Sequence, residues 1–326
     1  ALGIGNVMIS ERPDYKEISA ICGACAAVTE KIFIGTSGTN LNTRHPVITA
    51  SMGSTLDALS NGRFALGLAK GVKLRWQAMG LDYPTFAHEE AFIELMRRLW
   101  RGEVVSNYES VLGNYRTLSV APYINADIPI LYVGFGFKSL HNAGRIYDGA
   151  HLHTFMSDQA LSDAVAHFRA GEAEAGKPQK GKLWSVFATA CDVSEEKYLK
   201  FIVARLATYL QFPHYGEALV RVNGWDMEIL QAFRAHPDVA NVGGAIDSVA
   251  SLDQIAKIDK LIPQEWRPAA IGDAKTCAQR WVDQFTAGAD GIIIHASTPE
   301  EFEPVLREYE KIRPNTLFEG RTNRPA

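Results

Sequence analysis

Short apolar runs alternate with longer amphipathic segments almost to the end of the chain. Asn6 to Ser10, Ile32 to Gly35, Phe64 to Leu68, Ile130 to Val133, Ala150 to Phe155, Leu183 to Cys191 and Gly291 to His295 have the length and composition of buried strands. Between them, Tyr15 to Thr29, His88 to Trp100, Ser139 to Tyr147, Asp158 to Ala175, Glu195 to Leu210, Cys277 to Ala287 and Pro299 to Ile312 carry apolar residues at helical spacing. Alternation of this kind predicts a parallel sheet covered by helices. An open doubly wound sheet and a closed (β/α)8 TIM barrel both satisfy it. The barrel is favoured because the turn after Phe135 lacks the third glycine of a dinucleotide fingerprint, and because polar residues follow many strands rather than one switch point. The missing first strand and helix are expected upstream of Ala1, since Ala-Leu-Gly-Ile-Gly reads as a helix end running into a strand.

Two insertions interrupt a single domain spanning 1–326. Residues 104–118 alternate and contain a Gly-Asn turn, which predicts a hairpin. Residues 212–268 are too long for an ordinary connection and look helical, with breaks at Pro213, Gly224, Pro237 and Gly243-Gly244; a lid or substrate wall is expected, an oligomer contact the alternative. A net charge of -4 gives no basic field for nucleic acid. No apolar run reaches the ~18 residues of a membrane span, and Ala1 to Ser10 does not read as a signal peptide, so a cytoplasmic protein is expected. Cys22-Gly-Ala-Cys25 has redox-pair spacing, but a helix starting near Pro13 or Asp14 puts Cys22 about two turns inside it, away from the thiolate-favouring end. Cys191 and Cys277 have no Cys or His at ligand spacing, and no metal site is expected.

In a barrel, residues just past the carboxyl ends of the strands share one face. That face collects Ser10 to Arg12, Ser37 to Arg44, Ala69 to Lys73, Gly134 to Lys138, Phe155 to Ser157 and Ala296 to Thr298. Glu11 is the carboxylate able to act as acid or base, unless a salt bridge to Arg12 or Arg44 holds it. Gly134-Phe135-Gly136-Phe137-Lys138 follows a strand and precedes a helix, so its backbone N–H groups suit an anionic cofactor tail; the plain alternative is a tight turn. His151 and His153 alternate on one strand and so face one side, as a polar wall or as satisfied interior rings. Trp76 stacks on substrate or packs in the core.

Ala27-Val-Thr-Glu-Lys-Ile-Phe-Ile-Gly-Thr36, Thr43-Arg-His-Pro46 and Leu56-Asp-Ala-Leu-Ser-Asn-Gly-Arg-Phe-Ala-Leu-Gly-Leu68, in this order, resemble consecutive signatures of the luciferase-like flavin and deazaflavin superfamily. Arg98-Leu-Trp-Arg-Gly-Glu103, Pro129-Ile-Leu-Tyr-Val-Gly134, Ala143-Gly144, Asp148-Gly149 and Ala287-Gly-Ala-Asp-Gly-Ile-Ile-Ile294 extend the resemblance along most of the chain. It implies a TIM barrel with a cofactor ring at the carboxyl face and a non-proline cis peptide at Ser37-Gly38. Ser37, Gly38, Thr39, Asn42 and His45 would surround the ring, and Gly134, Phe135, Gly136, Phe137 and Lys138 would hold the tail. The sequence is most similar to coenzyme F420-dependent oxidoreductases of the methylenetetrahydromethanopterin reductase-like branch, which implies hydride transfer between the deazaflavin C5 and a small organic substrate, with a homodimer expected. Arg12 stands where several such enzymes have histidine, and Ala69 to Lys73 lacks the glutamate of the sugar-phosphate dehydrogenases. The alternatives are an FMN-dependent monooxygenase and a non-catalytic cofactor-binding barrel.

Overall fold

The computed structural model describes residues 2–12, 15–121 and 126–326. Its centre is a curled sheet of parallel strands in the order β1 (Asn6–Ile9), β2 (Phe33–Thr36), β4 (Phe64–Ala69), β7 (Ile130–Val133), β8 (Gly149–His151), β9 (Lys182–Cys191) and β10 (Ala270–Gly272). Two further strands lie off this path, β3 (Thr39–Asn40) on β4 and β11 (Gly291–His295) on β9. Every pairing in this sheet is parallel, so the loops after the strands gather at one end. β4 shows why these segments are strands: Phe64 to Leu68 is apolar and buried throughout, as a strand covered on both faces must be.

Several of the covering helices start where the sequence supplies a cap. Pro46 opens α2 (Pro46–Leu59) and Thr85 caps α4 (Phe86–Trp100); α1 (Ile18–Val28), α3 (Lys73–Ala78) and α5 (Phe137–Ile146) complete the first half. Ser157 caps α6 (Asp158–Glu174), and after β9 the chain forms α7 (Glu195–Tyr198), a π-helical stretch Leu199–Val203 and α8 (Ala204–Gln211). The insertion contains α9 (Tyr215–Asn223), α10 (Met227–Ala235), α11 (Pro237–Ala240), α12 (Ile246–Val249) and α13 (Leu252–Asp259). Asp273 caps α14 (Ala274–Thr286), and a Thr298–Glu301 capping box with Pro299 opens α15 (Pro299–Ile312).

Several expectations shift. β8 ends at His151 rather than continuing to Phe155, because the chain must leave the sheet to enter α6, and Phe155 takes a positive φ of 61° in that turn. His153 therefore lies beyond the strand. The hairpin forms from β5 (Val105–Ser110) and β6 (Gly113–Leu118), but Gly113 pairs with Ser110, so the turn is Val111-Leu112 rather than Gly-Asn. The expected helix start near Pro13 or Asp14 lies outside the described residues; α1 begins at Ile18, which puts Cys22 about one turn in. β1 pairs with β2 and β11 with β9, and a groove of about 870 Å³ lies between them, lined by Val7, Trp184, Ile292, Ile294, Phe302 and Leu306 among others.

Candidate functional site at the carboxyl face

The chain makes its sharpest local adaptation just past β2, where the Ser37-Gly38 peptide bond is cis. A Cβ on Gly38 would lie 2.9 Å from Val133 Cγ2 and 3.1 Å from Gly67 O, so only glycine lets the bulge sit this close to β4 and β7. Ser37 Oγ is 3.1 Å from Nδ1 of His151, which the β8–β9 register sets on the same face as Trp184. His151 is fully buried, its Nε2 has no hydrogen-bond partner, and burial pulls its pKa down to about 3, so the ring is neutral. Ser37, Gly38, Val133 and His151 thus form an uncharged, closely packed bed.

Beside the bed, Glu11 is already engaged. Its carboxylate accepts from both terminal nitrogens of Arg44 and from Thr39 Oγ1; Arg44 also pairs with Glu17 at 2.6 Å and donates to Thr39 at 2.9 Å. The side chain of Glu11 is 3% exposed. This is the salt-bridged alternative for Glu11, and it makes the residue a clamp between the end of β1 and the bulge. His45 and Asn42 turn away from the bed. His45 is exposed, accepts from Val47 N as the cap of α2 and meets the Tyr115 ring edge-on at 5.1 Å, while Asn42 donates to Asp82 O at 2.8 Å.

Gly134 to Lys138 divides as well. Gly136 caps α5 without a side-chain hydrogen bond, which leaves the first N–H groups of that ten-residue helix to an incoming acceptor. A Cβ on Gly134 would run into the Tyr132 hydroxyl, so the glycine is what lets the chain pass over that ring. Phe135 points to His153, with ring centroids 4.7 Å apart, whereas Phe137 stacks on His167 of α6 at 4.8 Å and Lys138 is exposed.

The residues that composition and spacing missed come from the insertion side. His153 Nε2 lies 2.7 Å from the Tyr215 hydroxyl at the start of α9, and Tyr209 of α8 stacks on Tyr215 with centroids 5.4 Å apart. Arg205 sits over the Tyr209 ring at 5.2 Å and pairs with Asp247 at 2.5 Å. Burial holds His153 at about 3 and His295 at about 4, with Arg205 adding to both depressions. Farther round the rim, Lys70 Nζ lies 3.0 Å from buried Glu89, which also accepts from Tyr147 at 2.9 Å, and burial raises the Glu89 pKa. Trp76 is 2% exposed and donates to Lys70 O, a packing role. Burial pushes the Cys22 thiol to about 12, which removes the thiolate a redox pair needs. Cys191 and Cys277 are buried and the fold brings them into electrostatic contact, which their distant sequence positions hid. Among the described residues no cluster of three His, Cys, Asp or Glu could hold a metal, and no helix is long and apolar enough to cross a membrane.

Residues 1–291 match the family described as luciferase-like monooxygenase. Over 180 residues the chain is 29% identical to 5,10-methylenetetrahydromethanopterin reductase of Methanolobus tindarius, covering 55% of this chain and 54% of that protein. Over 135 residues it is 35% identical to an F420-dependent glucose-6-phosphate dehydrogenase of Beutenbergia cavernae, covering 39% of each. The matched stretch thus spans about half or less of these curated relatives. Among solved structures, the coenzyme F420-dependent tetrahydromethanopterin reductase from Methanopyrus kandleri superposes with a TM-score of 0.77 at 20% identity, over 95% of this chain and 92% of that one. The monooxygenase RslO1 from Streptomyces bottropensis superposes with a TM-score of 0.62 at 16% identity, over 97% and 89%.

Proposed function

Because the chain belongs to the luciferase-like monooxygenase family, we propose that it is an oxidoreductase using coenzyme F420, which exchanges hydride with a small organic substrate at the carboxyl face of the barrel. The observation that carries this reading is the pairing of an uncharged bed with an uncapped helix end. Ser37, Gly38, Val133 and His151 offer a planar ring a rigid apolar support with an unpaired ring nitrogen beneath it, and the N-terminus of α5 offers its anionic tail N–H donors. The F420-dependent relative supports the same cofactor. When bound, a deazaflavin supplies the two-electron hydride chemistry; the protein supplies orientation and shielding from water. Glu11 keeps Thr39 and the bulge in place through Arg44, while neutral His151 hydrogen-bonds with Ser37 without adding charge beneath the ring. Tyr209 and Tyr215 close the mouth from the insertion side and limit which substrates approach.

The test is a parallel titration of the purified protein with coenzyme F420 and with FMN, followed by cofactor absorbance and fluorescence. Saturable F420 binding at least about tenfold tighter than FMN is expected, a difference of about 1.4 kcal/mol. FMN binding tighter than F420, together with substrate-dependent oxygen uptake supported by reduced FMN, would establish the monooxygenase alternative instead. Tight binding without turnover across a broad panel of acceptors would point to the non-catalytic barrel.

A further inference from the structure

The strand register places two histidines on the barrel's inner face. His295 pairs with Ala188 and Gly291 with Trp184, so His295 projects to the same side as Trp184 and His151, with small Ala188 beside it on the intervening strand. On the far side of β9, His153 follows β8 and contacts Phe135, Tyr209 and Tyr215 from this same mouth.

The polar atoms around these rings are more numerous than their partners. The Tyr215 hydroxyl at 2.7 Å from His153 Nε2 can donate to it, and a neutral ring that accepts there carries its proton on Nδ1. That Nδ1 is buried without a hydrogen-bond partner; the Thr154 backbone lies beside it but outside hydrogen-bond geometry. Nδ1 of His295 is likewise buried and unpartnered. Arg205 lies close enough to act electrostatically on both rings, and its guanidinium, with five N–H donors, gives Nη1 to Asp247 and also hydrogen-bonds with Tyr209. A buried polar atom is costly to leave unpaired, so two of them on rings beside a guanidinium point to an acceptor that reaches them.

We propose that His153, His295 and Arg205, with the Tyr209 and Tyr215 rings as walls, form a subsite for a compact oxyanion on the substrate, a carboxylate or a phosphate ester. This rests on the oxidoreductase reading and narrows its substrate to an organic anion. The anion would face His N–H and guanidinium donors, while the aromatic walls would take the apolar part of the same molecule. The Phe135 ring contacts His153 and Tyr215 and directly precedes the N-terminus of α5, so substrate anion and cofactor tail would be held separately.

The experiment measures binding of benzoate, inorganic phosphate and the neutral isostere benzamide by calorimetry, with and without saturating F420. Benzoate or phosphate should bind at least about tenfold tighter than benzamide, as expected for a charge-assisted hydrogen bond. Phosphate binding tighter than benzoate assigns the group as a phosphate ester, the reverse as a carboxylate. His295→Phe should remove the preference. Arg205→Gln leaves Asp247 unpaired, so the double variant Arg205→Gln/Asp247→Asn serves as the check that folds without a lone charge, and it too should lose the preference. Benzoate, phosphate and benzamide binding within about twofold of one another, or displacement of the anion by F420, would overturn the subsite. Failure of F420 to bind while the anion preference persists would count against the cofactor assignment alone.

Discussion

At the scale of single residues, the barrel interior holds three histidines that burial keeps neutral. The folded values of His151 and His153 are about 3 and that of His295 about 4, against 6.5 for a free ring. In the interval between, the unfolded chain binds more protons than the folded one, so stability rises with pH there. The neutral-ring contribution is present in full above about pH 6.5 and is lost as the pH falls toward the folded values. Denaturant unfolding at pH 5 should therefore give a stability about 2–5 kcal/mol below that at pH 7, an amount scaled down because His153 and His295 are only partly buried. His151→Asn should flatten the dependence. An unchanged slope in that variant, or no pH effect between 5 and 7, would show that these rings do not titrate as described. Glu11 teaches a related lesson: as the carboxylate nearest the mouth it reads from sequence as an acid or base, yet Arg44 and Thr39 occupy its oxygens in the fold.

Between elements, the tightest contact is the crossing of α5 and α6, which meet backbone to backbone at two glycines. A Cβ on Gly144 would overlap Phe168 O and lie 2.9 Å from Glu172 N, and one on Gly171 would overlap His141 O and lie 3.2 Å from Arg145 N. Backbone atoms cannot swing aside as a side chain can. Gly144→Ala should thus cost about 1–3 kcal/mol in chemical denaturation despite alanine's better helix propensity, whereas Gly243→Ala, where a Cβ meets nothing within 4 Å, should be nearly neutral. Equal stabilities for the two variants would refute the crossing as drawn. Elements were legible where they are long and periodic, as α15 (Pro299–Ile312) is, or form an unbroken apolar run, as β7 (Ile130–Val133) does. β10, three residues long, and β3, two, are too short to show a period, and β8 ends early because of the turn into α6. The cis position at Ser37-Gly38 followed from the resemblance, not from spacing. Arg205, Tyr209 and Tyr215 escaped because residues at helical spacing look alike whether they face a core or a barrel mouth, and only the returning chain sets them over His153.

The whole molecule is built around more than one core. The barrel core runs from Ile18 and Leu56 through Phe64, Leu95 and Trp100 to Phe168 and Leu183. A separate cluster binds the insertion together, from Leu206 and Leu219 through Phe233 and Ile258 to Trp266, and it reaches the sheet and its rim at Phe155, Ala188 and Ala190. The helices of the insertion between Tyr215 and Asp259 are at most nine residues long, below the ~12 at which isolated helices become even marginal, so they depend on that shared seam. Two cores joined along a narrow seam need not open together. In native-state hydrogen exchange, amides of α10 and α13 should open at a lower free energy than those of β4 and β9, with the amides of α9 between them because Tyr215 ties that helix to His153. Tyr215→Phe removes the tie without emptying the ring's space, so it should lower protection in α9 toward that of α10 while β4 stays unchanged. Equal protection of α13 and β4 in the wild-type protein would mean that the insertion unfolds only with the barrel and is as rigid as the sheet.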